Sequence, residues 1–102
     1  MSDVIVWARN VDDGNRVQGF IVEKGSPGLT VQKMQGKMAL RAVQNGHLTF
    51  NDCFVPTKNK LTYAVDFATG TNRILEASRL MIAWTAAGCA AGAYEAALKY
   101  TT

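Results

Sequence analysis

The sequence predicts an α+β arrangement: short antiparallel β-strands come first and one long helix follows. Three observations carry this expectation. Residues 1–61 alternate β-branched and aromatic runs with clusters of Gly, Pro, Asn and Asp, as strands joined by turns do. From about Asn72 no Pro or turn cluster interrupts the chain, and Leu75, Ser78, Met81, Ile82, Thr85 and Cys89 recur at the i, i+3, i+4 spacing of one helical face. Within that stretch, ten of the fifteen residues from Ala83 to Ala97 are Ala or Gly, so the helix is suited to close approach by other backbones.

The elements follow in order. Val4-Ile5-Val6-Trp7-Ala8 is a short apolar strand. Asn10 to Asn15 is dense in turn formers, and Asp13-Gly14 suits a hairpin. Gly19-Phe20-Ile21-Val22 is the second strand, broken by Lys24-Gly25-Ser26-Pro27-Gly28. Leu29-Thr30-Val31 opens a third. Asn45-Gly46 is a further hairpin signal, and His47-Leu48-Thr49-Phe50 with Phe54-Val55-Pro56 is expected to form a strand pair across Asn51-Asp52. Pro56 stops it, because proline cannot donate a ladder hydrogen bond.

The helix poses a problem. Gly88 and Gly92 form a small-x-x-x-small pair, yet each costs about 1 kcal/mol of helix propensity relative to Ala. A lone amphipathic helix gains nothing from them; a helix surrounded by others does. Only one helix is evident, so the sequence reads as a piece of a larger protein. The fifteen residues from Leu80 to Tyr94 carry no charge, but a bilayer span needs roughly 20 and Glu95 ends the run. No membrane span is expected.

Composition narrows the function. The 102 residues allow one small domain at most. With 48% hydrophobic and 19% charged residues the chain is too apolar to be disordered. Its net charge of +3 comes from scattered Lys and Arg, with Lys58 and Lys60 the nearest to a cluster, which disfavours nucleic acid as a partner. Cys53, Cys89 and the single His47 fall short of the four ligands of a zinc site and of a disulfide framework. The two thiols are read as inert packing and His47 as a solvated turn residue. Lys24-Gly25-Ser26 lacks the rest of a phosphate loop and marks only a turn. Met1-Ser2-Asp3 opens straight into a strand-like run without a basic n-region, so no secretory signal is expected.

Four stretches together resemble the acyl-CoA dehydrogenase family. They are Gly19-Phe20-Ile21-Val22-Glu23-Lys24, Pro27-Gly28-Leu29, Gly36-Lys37-Met38-Ala39-Leu40-Arg41, and Leu48-Thr49-Phe50-Asn51-Asp52-Cys53-Phe54-Val55-Pro56. Ala77-Ser78-Arg79-Leu80-Met81-Ile82-Ala83-Trp84 then matches a family helix carrying an Arg followed by small and apolar residues. Each motif is weak alone; their order and spacing are specific, and they span essentially the whole chain. Leu40-Arg41-Ala42-Val43-Gln44-Asn45-Gly46 and Ile82-Ala83-Trp84 look closest to the glutaryl-CoA dehydrogenase and short-chain acyl-CoA oxidase branch.

The resemblance implies a flavoenzyme that introduces an α,β double bond into an acyl-CoA thioester, with FAD accepting the hydride. Residues 1–61 would be part of its middle β-domain, 62–71 a linker, and 72–102 the first helix of a C-terminal α-helical bundle. It also implies a homo-oligomer, a tetramer, placed in the mitochondrial matrix or peroxisome of a eukaryote or the cytoplasm of a bacterium. The family's catalytic Glu and FAD-contacting Arg would lie beyond Thr102 and its main flavin motifs before Met1. Trp7, followed by Ala8-Arg9, is not the family's W-I-[ST] tryptophan. No catalytic residue is therefore expected in this chain, and the isolated 102 residues are expected to be inactive.

The substrate-binding candidates that the resemblance implies are Arg79, which would bind substrate or order the catalytic-base loop, and Ser78 and Glu76, which would touch the pantetheine or acyl chain. Arg79 sits among apolar residues and cannot lose its charge, so if buried it needs an anion or several carbonyls. A structural ion pair with Glu76, three residues back, is the plainer alternative. Glu76 also suits the first turns of a helix, where negative charge is favoured. Ser78 occupies the position that holds the catalytic Glu in the isovaleryl-CoA branch, and its hydroxyl does not serve as a base at neutral pH. Arg41 matches a family Arg without an assignable role. The competing reading from another class is a stand-alone β-plus-helix module that docks on a partner through its Ala/Gly helix.

Overall fold

A computed structural model describes residues 2–102; Met1, the first residue of the stretch that precedes the strand-like run, lies outside the described residues. Strand β1 (Val4–Asn10) and strand β2 (Arg16–Val22) form an antiparallel hairpin whose register sets Trp7 opposite Gly19 and Ala8 opposite Gln18. The connection is a single 3-10 turn, Val11–Asp13, whose entry is held by Asn10 Oδ1 accepting from the Asp12 amide. Gly14 closes it at φ +62 and Asn15 follows at φ +58, two left-handed residues that return the chain into β2.

Strands β3 (Leu29–Lys33) and β4 (Gly46–Phe50) make a second antiparallel pair, from Leu29 opposite Phe50 to Lys33 opposite Gly46. Gly28 starts it and only glycine fits there. Its φ is +84, and a β-carbon would lie 2.1 Å from the Asn51 carbonyl oxygen. The Asn51 amide donates to the Gly28 carbonyl at 2.9 Å and extends the ladder.

Two expectations are corrected. Phe54-Val55-Pro56 is not a strand: β4 uses its ladder on β3, and Asp52 at φ +48 turns the chain away. Asn45-Gly46 is not a two-residue hairpin either, since Gly46 pairs with Lys33 and the loop runs over 34–45. The Met34 amide closes that loop on the Asn45 carbonyl, and the Lys37 ammonium donates to the Leu40 and Val43 carbonyls and to Asn45 Oδ1.

The single helix α1 (Thr71–Thr101) begins one residue before the expected Asn72. It is about 46 Å long at 1.5 Å per residue. The Cα radius of gyration is 19.0 Å, well above the ~13 Å of a compact chain of this size. The cause is visible in the burial: from Arg79 to Thr102 every residue is exposed, including Trp84 at 75% and Tyr100 at 93%. Apolar side chains lie all round α1, which marks a helix meant to be enclosed. Gly88 and Gly92 have nothing within 4 Å of where a β-carbon would stand.

What core there is lies between the first hairpin and the foot of α1. Val22 and Ala64 are its buried apolar residues, joined by Gly19, Gly70 and a fully buried Gln18. Chain 59–65 runs along the edge of β2. Asn59 Nδ2 donates to the Ile21 carbonyl, Lys60 bridges Phe20, the Leu61 amide donates to the Gly19 carbonyl, and Gln18 Nε2 donates to the Val65 carbonyl.

Candidate functional site

The three candidates occupy the first turns of α1, the last part of the helix that touches the strands. A turn at 66–69 launches it. Asp66 Oδ1 accepts from the Thr69 amide at 2.8 Å and from the Thr69 hydroxyl at 2.7 Å, and the Asp66 carbonyl takes the Gly70 amide. The Thr69 amide, then its hydroxyl, hold the Asp66 carboxyl below its ordinary pKa by favouring the charged form. Gly70 then meets Trp7: a β-carbon on Gly70 would lie 2.7 Å from Trp7 Cζ3 and 3.0 Å from the Ala64 Cβ. On the ring's other contact, a β-carbon on Gly19 would lie 3.0 Å from Trp7 Cζ3 and 2.6 Å from Leu61 Cδ1. Two glycines thus let one indole join β2 to the helix start.

Thr71, Leu75 and Ser78 form the half-buried stripe of α1 that faces this junction. The Ser78 hydroxyl donates to the Leu75 carbonyl at 3.0 Å, one turn back. Glu76 is exposed, and its Oε1 accepts from Asn72 Nδ2 at 2.8 Å. Arg79 is exposed and makes no ion pair or hydrogen bond among the described residues. The structure therefore brings the three onto adjacent turns without joining them. The Glu76–Arg79 ion pair does not form among the described residues; the one side-chain partner of Glu76 there is Asn72, four residues back.

The other candidates stand apart. His47 is exposed in β4 opposite Gln32. Cys53 is half-buried and Cys89 exposed, so the packing expected of Cys89 is not supplied within this chain. No three His, Cys, Asp or Glu side chains gather as a metal site among the described residues, and none of their helices is long and apolar enough to cross a membrane.

Sequence reasoning missed the cluster behind the helix start. Gln18 has all its polar atoms engaged: Nε2 donates to Asp13 Oδ2 at 2.7 Å and to the Val65 carbonyl at 3.1 Å, and Oε1 accepts from Asn10 Nδ2 at 3.0 Å. Arg16 Nη2 donates to Asp13 Oδ1, and Lys60 Nζ stands 3.6 Å from Asp13 Oδ2. The hydrogen bond from Arg16, then that from Gln18, hold the Asp13 carboxyl below its ordinary pKa. A polar residue one step before Gly-Phe-Ile-Val, opposite Ala8 in β1, was the available signal.

Two grooves accompany these elements. One, of about 260 Å³, lies along Ile21, Glu23, Ser26, Phe54, Pro56 and Asn59. The other, of about 490 Å³, lies between Val4 and the β3–β4 pair at Val31, Lys33, Asn45 and Leu48. Neither is lined by Glu76, Ser78 or Arg79.

No family model matches the chain. Individual proteins do. An acryloyl-CoA reductase (NADH) of Anaerotignum propionicum is 32% identical over 84 residues, 82% of this chain and 21% of that protein. A cyclohex-1-ene-1-carbonyl-CoA dehydrogenase of Geobacter metallireducens is 32% identical over 104 aligned positions, 99% of this chain and 27% of that enzyme. The mitochondrial short-chain specific acyl-CoA dehydrogenase of Rattus norvegicus is 32% identical over 84 residues, 82% of this chain and 20% of that enzyme. The chain thus spans about a fifth to a quarter of the length of the relatives it matches.

Proposed function

The chain belongs to the acyl-CoA dehydrogenase family, and from that premise we propose that it is a segment of a larger FAD-dependent enzyme that forms an α,β double bond in an acyl-CoA thioester. Residues 1–61 belong to its middle β-domain, 62–71 join the domains, and 72–102 open a C-terminal helical bundle. The finer likeness of Leu40–Gly46 and Ile82-Ala83-Trp84 favours the glutaryl-CoA dehydrogenase or short-chain acyl-CoA oxidase branch, working as a tetramer in a mitochondrion, peroxisome or bacterial cytoplasm.

The described residues do not by themselves fit a flavin. The two grooves present no slot between apolar walls with convergent donors, and neither reaches the candidate turns. No flavin contact is assigned to this segment, and no chemical step is carried by it. What its residues do is bind and orient. Arg79 offers a permanent cation with planar donors to the thioester end or to the loop that carries the base. Glu76 and Ser78 line the same turns towards the pantetheine or acyl chain. Ser78 is no base, so the proton abstraction belongs elsewhere in the enzyme.

The observation that carries this reading is the unpaired Arg79 guanidinium at the point where α1 leaves the strands. The Glu76 pairing that a structural Arg79 would use is not made among the described residues, where Glu76 Oε1 accepts from Asn72. The experiment is Arg79→Ala and Arg79→Lys in the full-length enzyme, with flavin per subunit measured beside steady-state kinetics. A binding role predicts near-normal flavin and a fall in kcat/KM of at least about tenfold, roughly 1.4 kcal/mol. Lysine should rescue poorly, because it keeps the charge and loses the fork. Normal kinetics per bound flavin would remove Arg79 from the site.

The exposed helix also suits the alternative of a stand-alone docking module. The two part on one measurement: a yellow, flavin-bound full-length protein supports the enzyme, and a colourless one supports the module.

A further inference from the structure

We propose that Gln18 is a positioning residue that aims the first turns of α1, and with them Glu76, Ser78 and Arg79. The inference rests on the reading that those turns face the substrate. Gln18 is the fully buried side chain of the junction, and its amide ties three separate pieces of chain: Asn10 at the end of β1, Asp13 in the turn, and Val65 on the way into α1. The amide's orientation is fixed by chemistry, since both the Asp13 carboxylate and the Val65 carbonyl can only accept. No other side chain of that length supplies two donors and an acceptor in one plane. The Asp13 carboxylate is itself anchored by Arg16 and faced by Lys60, so the far end of the tie is rigid.

The geometry makes a small error large. Val65 is followed by the Asp66–Thr69 turn and by Gly70, which is wedged on Trp7. From Gly70 to Arg79 the helix rises nine residues, about 13.5 Å. A tilt of about 5° at Gly70 moves Arg79 by about 1.2 Å, enough to take its donors out of hydrogen-bond reach of a bound substrate. The bond to Val65 sets where the first turn of α1 stands against β2.

The test uses the full-length flavoenzyme. Gln18→Met keeps the length and removes every donor. It should retain about one flavin per subunit, leave kcat within about threefold, and raise KM for acyl-CoA by about tenfold. Asp13→Asn leaves one acceptor where Gln18 Nε2 and Arg16 Nη2 each use one, so it should raise KM in the same direction by about threefold. Gly70→Ala pushes on Trp7 from outside the polar cluster and should reproduce the rise in KM; it decides the matter if Gln18→Met does not fold. An unchanged KM in folded Gln18→Met and Gly70→Ala overturns the proposal. A wild-type protein without flavin or acyl-CoA turnover overturns the functional reading instead. Crystal structures of wild type and Gln18→Met then test the positioning alone: a displaced first turn of α1 against β2 supports it, and an unmoved one sinks it.

Discussion

The first hairpin with chain 59–70 and the distal part of α1 meet the same requirement in opposite ways. Around Trp7 and Gln18, the Gln18 amide and the β2 edge find partners inside the chain, the buried Thr71 hydroxyl does not, and two glycines let an indole close the gap. From Arg79 onwards the backbone is satisfied by the helix itself, but Leu80, Met81, Ile82 and Trp84 face solvent. A helix can satisfy its own hydrogen bonds without burying anything; a strand edge cannot. This segment covers its own apolar groups at the junction and leaves those of the distal helix bare.

The largest effect is expected on isolating the 102 residues. Lacking cover for α1, they should show no turnover of octanoyl-, butyryl- or glutaryl-CoA with an artificial electron acceptor and no stoichiometric flavin. Turnover would mean that α1 needs no partner. The next effect belongs to the strands. Gly28→Ala combines a left-handed φ with a β-carbon against the Asn51 oxygen, and should destabilise the full-length protein by at least about 2–3 kcal/mol in chemical denaturation. An unchanged midpoint would show that the β3–β4 pair can shift its start.

Gly88→Leu and Gly92→Leu probe the other side. In the full-length enzyme each should cost about 1–3 kcal/mol through overpacking, read as a lower Tm. In the isolated chain Gly88→Ala should instead gain up to about 1 kcal/mol of helix stability, because nothing stands within 4 Å. The same sign in both settings would end the argument from close packing.

The smallest effect is electrostatic. Asp13 and Asp66 have folded-state pKa values below their ordinary 3.8, so they bind protons more weakly folded than unfolded. Their contribution is therefore complete above about pH 4 and fades as pH falls through the lowered values. Both carboxylates face solvent, so the effect is modest. Asp66→Asn and Asp13→Asn should flatten the loss of stability below pH 4, followed by thermal melts across pH. Parallel wild-type and variant curves would exclude a role for these turns in acid sensitivity.

Much of this was legible in advance. β1, β2 and β3 fall where their apolar runs lie, and α1 starts one residue from its expected place. Phe54–Pro56 misled because its composition is that of a strand, while Asp52 at φ +48 turns it away from β4. The edge formed by 59–65 was illegible, because it rests on backbone groups that every residue carries. Of the site, the candidates and their helix were readable, but the failure of Glu76 to pair with Arg79 was not. Asn72 and Arg79 both lie within reach of Glu76 along a helix, and only the folded side chains choose.

The order of strands and helix, the family likeness and the need for cover over α1 can be read from residue order, because periodicity, turn chemistry and an Ala/Gly-rich stretch are local properties. The tertiary structure alone decided what holds the helix to the strands. Gln18 reaching Val65 across 47 residues, and Trp7 lying against both Gly19 and Gly70, join positions that no local pattern connects. Such contacts exist only once the chain has closed, when a buried amide must find every partner it left behind in water.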